Sequence, residues 1–172
     1  MKGRLDSLNV ALTNEMREHE FYLNNEKRTT NHVGKAMFKQ IAAEELENYE
    51  RLQQLAERWK KEEKWPETVP LKVKDTQVKD ILKDIVKKSA AAPLGDDDDL
   101  KAIGIAIDFE AKGAAFYARL RDEVTEPHEK AFFDLLAGIE QEHFTSLKDT
   151  EEYLTNPAGW YQKMERGGLD GA

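Results

Sequence analysis

The chain has 172 residues, 40% of them hydrophobic and 35% charged, with a formal net charge of −8, five prolines, ten glycines and no cysteine. This length suits one domain with a sizeable core, and the richness in Glu, Lys, Ala and Leu is a helical composition. An acidic chain whose Lys and Arg are interspersed with Asp and Glu lacks the basic stripe of a duplex nucleic-acid binder; the lack of cysteine excludes disulfides, zinc ribbons, iron–sulfur clusters and thiol nucleophiles.

Any bound metal must therefore be held by oxygen and imidazole. No apolar run approaches about 18 residues, and Met1-Lys2-Gly3-Arg4-Leu5-Asp6 has no apolar signal core. A cytoplasmic protein without a membrane span is the expectation.

The first helix is expected over 6–28 with Asp6 or Ser7 as cap, because Leu5, Leu8, Leu12, Glu15, His19 and Tyr22 recur at three- and four-residue steps. Thr29-Thr30-Asn31 ends it. The second, over 33–63, carries Phe38, Ile41, Glu45, Asn48, Leu52, Leu55 and Trp59 on one seam, with a charged opposite face and a break at Trp65-Pro66. Residues 66–70 read as an extended linker, and Asp75 caps a crossover helix over 76–90 with Val78, Ile81, Leu82, Ile85 and Val86 as its apolar stripe.

After Pro93-Leu94-Gly95 the run Asp96 to Asp99 opens a third helix over 96–123, as a charged cap suited to the positive end of the helix dipole. Its stripe is Leu100, Ile103, Ile107, Glu110, Ala114 and Tyr117. The fourth helix, over 127–154, starts near Pro127 and offers Phe133, Leu136, Glu140, His143, Leu147 and Leu154. Trp160, Tyr161 and Met164 predict a short C-terminal helix over 157–166, packed outside the others and released by Gly167-Gly168. Short connections within each pair, and a long one between, give an all-α fold in a single domain 1–172. It is a four-helix bundle of two antiparallel pairs with a long crossover, plus the crossover helix and the C-terminal helix.

Two stretches match at an offset of 95 residues: Glu15 with Glu110, Phe21-Tyr22 with Phe116-Tyr117, Lys35-Ala36-Met37-Phe38 with Lys130-Ala131-Phe132-Phe133, and Glu45 with Glu140. The four glutamates occupy seam positions, so a bundle directs them inward at a similar depth. Each buried, unpaired charge costs several kcal/mol, and four together exceed the roughly 5–15 kcal/mol that holds an ordinary domain together. Two divalent ions balance four carboxylates, and oxygen with imidazole suits iron or manganese. Glu140-Gln141-Glu142-His143 places a carboxylate and an imidazole on one helix face, where both can reach one ion.

With these residues in view, the chain resembles the ferritin-like superfamily, and within it the rubrerythrin-type di-iron carboxylate proteins. The resemblance rests on Glu15 through Tyr22, on Ile41-Ala42-Ala43-Glu44-Glu45-Leu46-Glu47-Asn48, on Glu110-Ala111-Lys112-Gly113-Ala114-Ala115-Phe116-Tyr117, and on Leu136-Ala137-Gly138-Ile139-Glu140-Gln141-Glu142-His143. It implies a ferritin-like bundle, Glu15 and Glu110 as terminal ligands, Glu45 and Glu140 as bridging ligands, and His143 as the nitrogen ligand of the second ion. It also implies Tyr22 and Tyr117 as tyrosines that hydrogen-bond ligand carboxylates across the site.

Three positions depart from the family pattern. Asn48 stands where a second histidine is expected, Gly113 stands where the family has an extra glutamate, and the mirrored place on the first helix is Glu18. Glu18, His19 and Asn48 are the further candidates for completing the subsite nearest the first two helices, which lacks the second histidine. His32 and His128 carry no signal.

The resemblance implies two metal ions, iron first with manganese or zinc as alternatives, acting on peroxide or dioxygen. Family members with a cysteine-ligated rubredoxin domain carry their own electron donor; a chain without cysteine needs a separate donor protein. A homodimer is expected, since the crossover helix and C-terminal aromatics offer apolar surface and relatives commonly pair. Two other readings stand beside the oxidoreductase: an iron or manganese buffer, or ferroxidase-like protein, without peroxidase turnover, and a metal-free helical scaffold.

Overall fold

The computed structural model describes residues 2–62, 78, 82, 84 and 96–169. Among the described residues, five helices have defined bounds: α1 (Lys2–Arg28), α2 (His32–Glu62), α3 (Asp97–Glu123), α4 (Pro127–Thr155) and α5 (Pro157–Leu169). Among the described residues there is no strand, and no helix is long and apolar enough to cross a membrane. α1 packs chiefly on α2 and α3 on α4, with α5 against α4. The expected linker over 66–70 and most of the crossover helix lie outside the described residues, but Val78, Leu82 and Asp84 are helical, and Val78 and Leu82 are buried.

The caps follow from side chains that accept from the exposed N–H groups of a first turn. Asn31 Oδ1 accepts from Val33 N (2.9 Å) and Gly34 N (3.2 Å) to start α2. Asp96 caps α3 by accepting from Asp99 N at 2.7 Å, and Asp97, Asp98 and Asp99 fill the first turn. Asp99 is also a tertiary link, since its buried carboxylate accepts from Asn31 N at 3.2 Å and ties the start of α3 to that of α2.

Two helix ends differ from expectation. α1 begins at Lys2 rather than at the predicted caps Asp6 and Ser7, because one glycine among Lys2-Gly3-Arg4-Leu5 costs only about 1 kcal/mol of helix propensity. α5 continues through Gly167-Gly168 to Leu169, because glycine permits a chain to leave the helix without requiring it.

Each long helix passes from one apolar cluster, through a charged level, into a second cluster. The first cluster holds Tyr22 of α1, Met37 and Ile41 of α2, Ile103 of α3 and Leu147 of α4. The second holds Leu8, Leu52, Tyr117 and Leu136 from the same four helices. Between them lie Glu15, Glu45, Glu110 and Glu140, one per helix and all fully buried.

The predicted seams of α2 and α4 are buried residue for residue. That of α3 is not: Leu100, Ile107 and Ala114 are only partly buried, while Ala106 and Gly113 lie inside. At Gly113 the reason is crowding, since a Cβ there would stand 2.5 Å from Glu140 Oε2.

Candidate metal centre

Seven-residue spacing and antiparallel packing build the site reciprocally. Tyr22, seven residues after Glu15, donates its O–H to Glu110 Oε1, and Tyr117, seven residues after Glu110, donates to Glu15 Oε1. The two hydrogen bonds thus cross between the chain's halves, each holding the other half's glutamate. Each phenol is fully buried, one in each apolar cluster.

His143 comes from α4, one turn after Glu140. Its Nε2–H donates to Glu44 Oε2 at 2.7 Å, and Glu44 also accepts from Gln40 Nε2 at 2.8 Å. Its Nδ1 then faces inward, 3.0 Å from Glu45 Oε1 and 3.3 Å from Glu110 Oε2. A neutral ring turned this way aims a lone pair at carboxylate oxygens, which is repulsive unless a proton or a cation lies between them. Burial by itself would push the imidazole down, but the charge of Glu110, with the carboxylates of Glu44 and Glu45 close by, outweighs it and holds the His143 pKa well above its ordinary value.

The carboxylates show the same frustration. Burial, then the neighbouring Glu45 and Glu18, pushes the Glu15 carboxyl well above the usual range. Burial, followed by Glu45 and Glu110, does the same to Glu140, and Glu18 is pushed up to about 10 by burial and then by Glu45 and Glu110. Burial foremost also raises Tyr22 and Tyr117, so both keep the proton they donate. Glu15 Oε2, Glu45 Oε1, Glu110 Oε2, both oxygens of Glu140 and Nδ1 of His143 are buried without a hydrogen-bond partner. So many orphaned acceptors in one place are the signature of an ion-binding site.

Ligand atoms fall into two groups, Glu45, Glu110, Glu140 and His143 in one and Glu15, Glu18, Glu45 and Glu140 in the other, with the atoms of each within 4.8 Å of one another. Donors bound at 2.0–2.2 Å to one ion stand at most about 4.4 Å apart, so small side-chain shifts close each group on a cation. Glu45 and Glu140 belong to both groups. The residues present fit the metal centre that the sequence implies.

Of the further candidates, Glu18 joins a group. His19 turns Nδ1 to the carbonyl of Ala42 at 2.6 Å, a bond between α1 and α2, and stands in neither group. Asn48 is buried, with Nδ2 donating to Glu45 Oε2 at 3.4 Å and Oδ1 without a hydrogen-bond partner. Sequence reasoning missed Glu44 as the acceptor behind His143. The available signal was that a metal-ligating imidazole needs a partner for its second nitrogen; Glu44 is adjacent in sequence to Glu45.

Comparison with curated proteins and with solved structures gives no match. The family model described as Rubrerythrin matches residues 6–151, a span that takes in α1 to α4 up to the last turn of α4 and every residue of the two donor groups. The geometry and this match both point to metal binding at a buried carboxylate and imidazole cluster inside a ferritin-like helical bundle, and the chain belongs to the rubrerythrin family.

Proposed function

We propose that the protein is a non-haem di-iron oxidoreductase that reduces peroxide or dioxygen with electrons from a separate donor protein. The observation that carries this reading is the sharing of Glu45 and Glu140 between two donor groups, since carboxylates common to both would hold two ions close enough to act on one O–O bond. Two ferrous ions supply, when bound, the two electrons that split a peroxide, and two protons complete two waters. The chain's own residues do the rest. Glu15 and Glu110 close the two ends of the centre, and the Tyr117 and Tyr22 hydroxyls fix the orientation of those carboxylates.

The apolar clusters keep water from both ends of the site. A cavity of about 260 Å³ lined by Asn14, Arg17, Glu18, Phe109, Lys112 and Gly113 reaches the side of the centre that carries Glu18, and it is the route for a small oxidant. Metal analysis of protein purified without chelator is expected to give two iron ions per chain. Stopped-flow mixing of the ferrous form with hydrogen peroxide is expected to show repeated turnover under a supplied reductant. Oxidation without turnover would replace the oxidoreductase by a metal buffer, and a metal content far below one ion per chain would replace both by a scaffold.

A further inference from the structure

The 95-residue repeat would make the two donor groups equivalent if its two copies were identical, and they are not. One group has Glu15 and Glu18 as its unshared donors, two carboxylates; the other has Glu110 and His143, one carboxylate and one imidazole. The repeat partner of Glu18 is Gly113, and that of His143 is Asn48. Both differences are built into the surroundings. A Cβ at Gly113 would stand 2.5 Å from Oε2 of the shared Glu140, so any side chain at the counterpart of Glu18 would displace a shared donor. The repeat partner of Glu44 is Ile139, so no carboxylate stands behind Asn48 to orient an imidazole there, as Glu44 orients His143.

All-oxygen, doubly anionic donors suit hard ions such as manganese(II), whereas an imidazole raises the preference for iron(II). Iron(II) binds more tightly than manganese(II) at any single site of this kind, so sorting depends on how much that advantage shrinks when nitrogen is absent. We propose that the two subsites sort ions from a mixture: manganese(II) enters the Glu15–Glu18 subsite, while iron(II) keeps the Glu110–His143 subsite. This rests on the reading of the cluster as a two-ion centre; with iron alone, both subsites fill with iron.

The test loads metal-free protein anaerobically with iron(II) and about ten-fold excess manganese(II), then reads anomalous scattering at both absorption edges from crystals and total metal per chain. The expected result is a manganese-to-iron ratio at the Glu15–Glu18 subsite roughly 10-fold or more above that at the His143 subsite, the scale on which a change in a ligand's surroundings alters affinity. Glu18→Gln is expected to lower manganese uptake while leaving iron beside His143, and Asn48→His to raise the iron share beside Glu15. Equal ratios at the two subsites, or a Glu18→Gln protein with an unchanged manganese share, would overturn the sorting and leave the two-ion centre standing. Absence of metal from both subsites would overturn that centre and the sorting with it.

Discussion

Tyr22 and Tyr117 separate the two halves of the metal centre at the level of single atoms. Each hydroxyl satisfies one carboxylate oxygen and leaves the other oxygen of Glu110 or Glu15 without a hydrogen-bond partner, which is what an ion requires. Tyr117→Phe is therefore expected to weaken metal binding at the Glu15 end by about 10- to 100-fold, and Tyr22→Phe to do so at the Glu110 end. Competition against a chelating dye measures both, and a loss at the opposite end would contradict the crossed hydrogen bonds. Gly113→Ala is expected to lower metal affinity with little change in thermal stability. The new Cβ meets only the far end of the flexible Glu140 side chain, yet that end is the shared donor. The four repeated glutamates and His143 were legible because charges on an apolar seam demand compensation. Glu44 was not, since it lies off the predicted seam of its helix, and its role exists only once α4 brings His143 to it.

At the scale of elements, the bundle is joined by the starts of α2 and α3 as well as by its seams. Asn31 caps α2 with its side chain while its N–H donates to Asp99, itself in the first turn of α3. Asn31→Ala is expected to cost about 1 kcal/mol, the usual effect of losing such a cap, and so to lower Tm by about 2–4 °C in a chain of this size. Thermal unfolding followed by circular dichroism checks this, and metal stoichiometry should not change, because neither residue belongs to a donor group. The helices themselves could be read from sequence wherever one large-residue stripe served one purpose. In α2, Phe38, Ile41, Leu52, Leu55 and Trp59 flank a charged level, and all are buried as expected. In α3 the rule favoured Ile107 and Ala114, yet the interior took Ala106 and Gly113, and at Gly113 the space beside the backbone was already claimed by a carboxylate from α4. Side-chain periodicity carries no information about how much room a neighbouring helix leaves.

For the whole molecule, the metal-free fold holds its charged level together with protons. Glu18 is raised from 4.5 to about 10, and Glu15 and Glu140 are also raised, chiefly by burial. A carboxyl raised in the folded state binds more protons there than in the unfolded chain, so its contribution to stability falls as pH rises from the unfolded value of 4.5 toward the folded one. His143, also raised, acts in the same direction: its contribution is complete below 6.5 and is lost as pH climbs through the folded value. The signs agree, so the metal-free protein is expected to lose thermal stability steadily between about pH 5 and pH 9. Bound cations take the place of those protons and bind better as the carboxylates lose them, so the metal-bound protein should show a much flatter profile. Calorimetric Tm values across that range, with and without iron(II) under anaerobic conditions, should give a gap that widens with pH. A gap independent of pH would mean that the carboxylates are already ionised and paired without metal, and that the orphaned oxygens between the two apolar clusters are not what the ions satisfy.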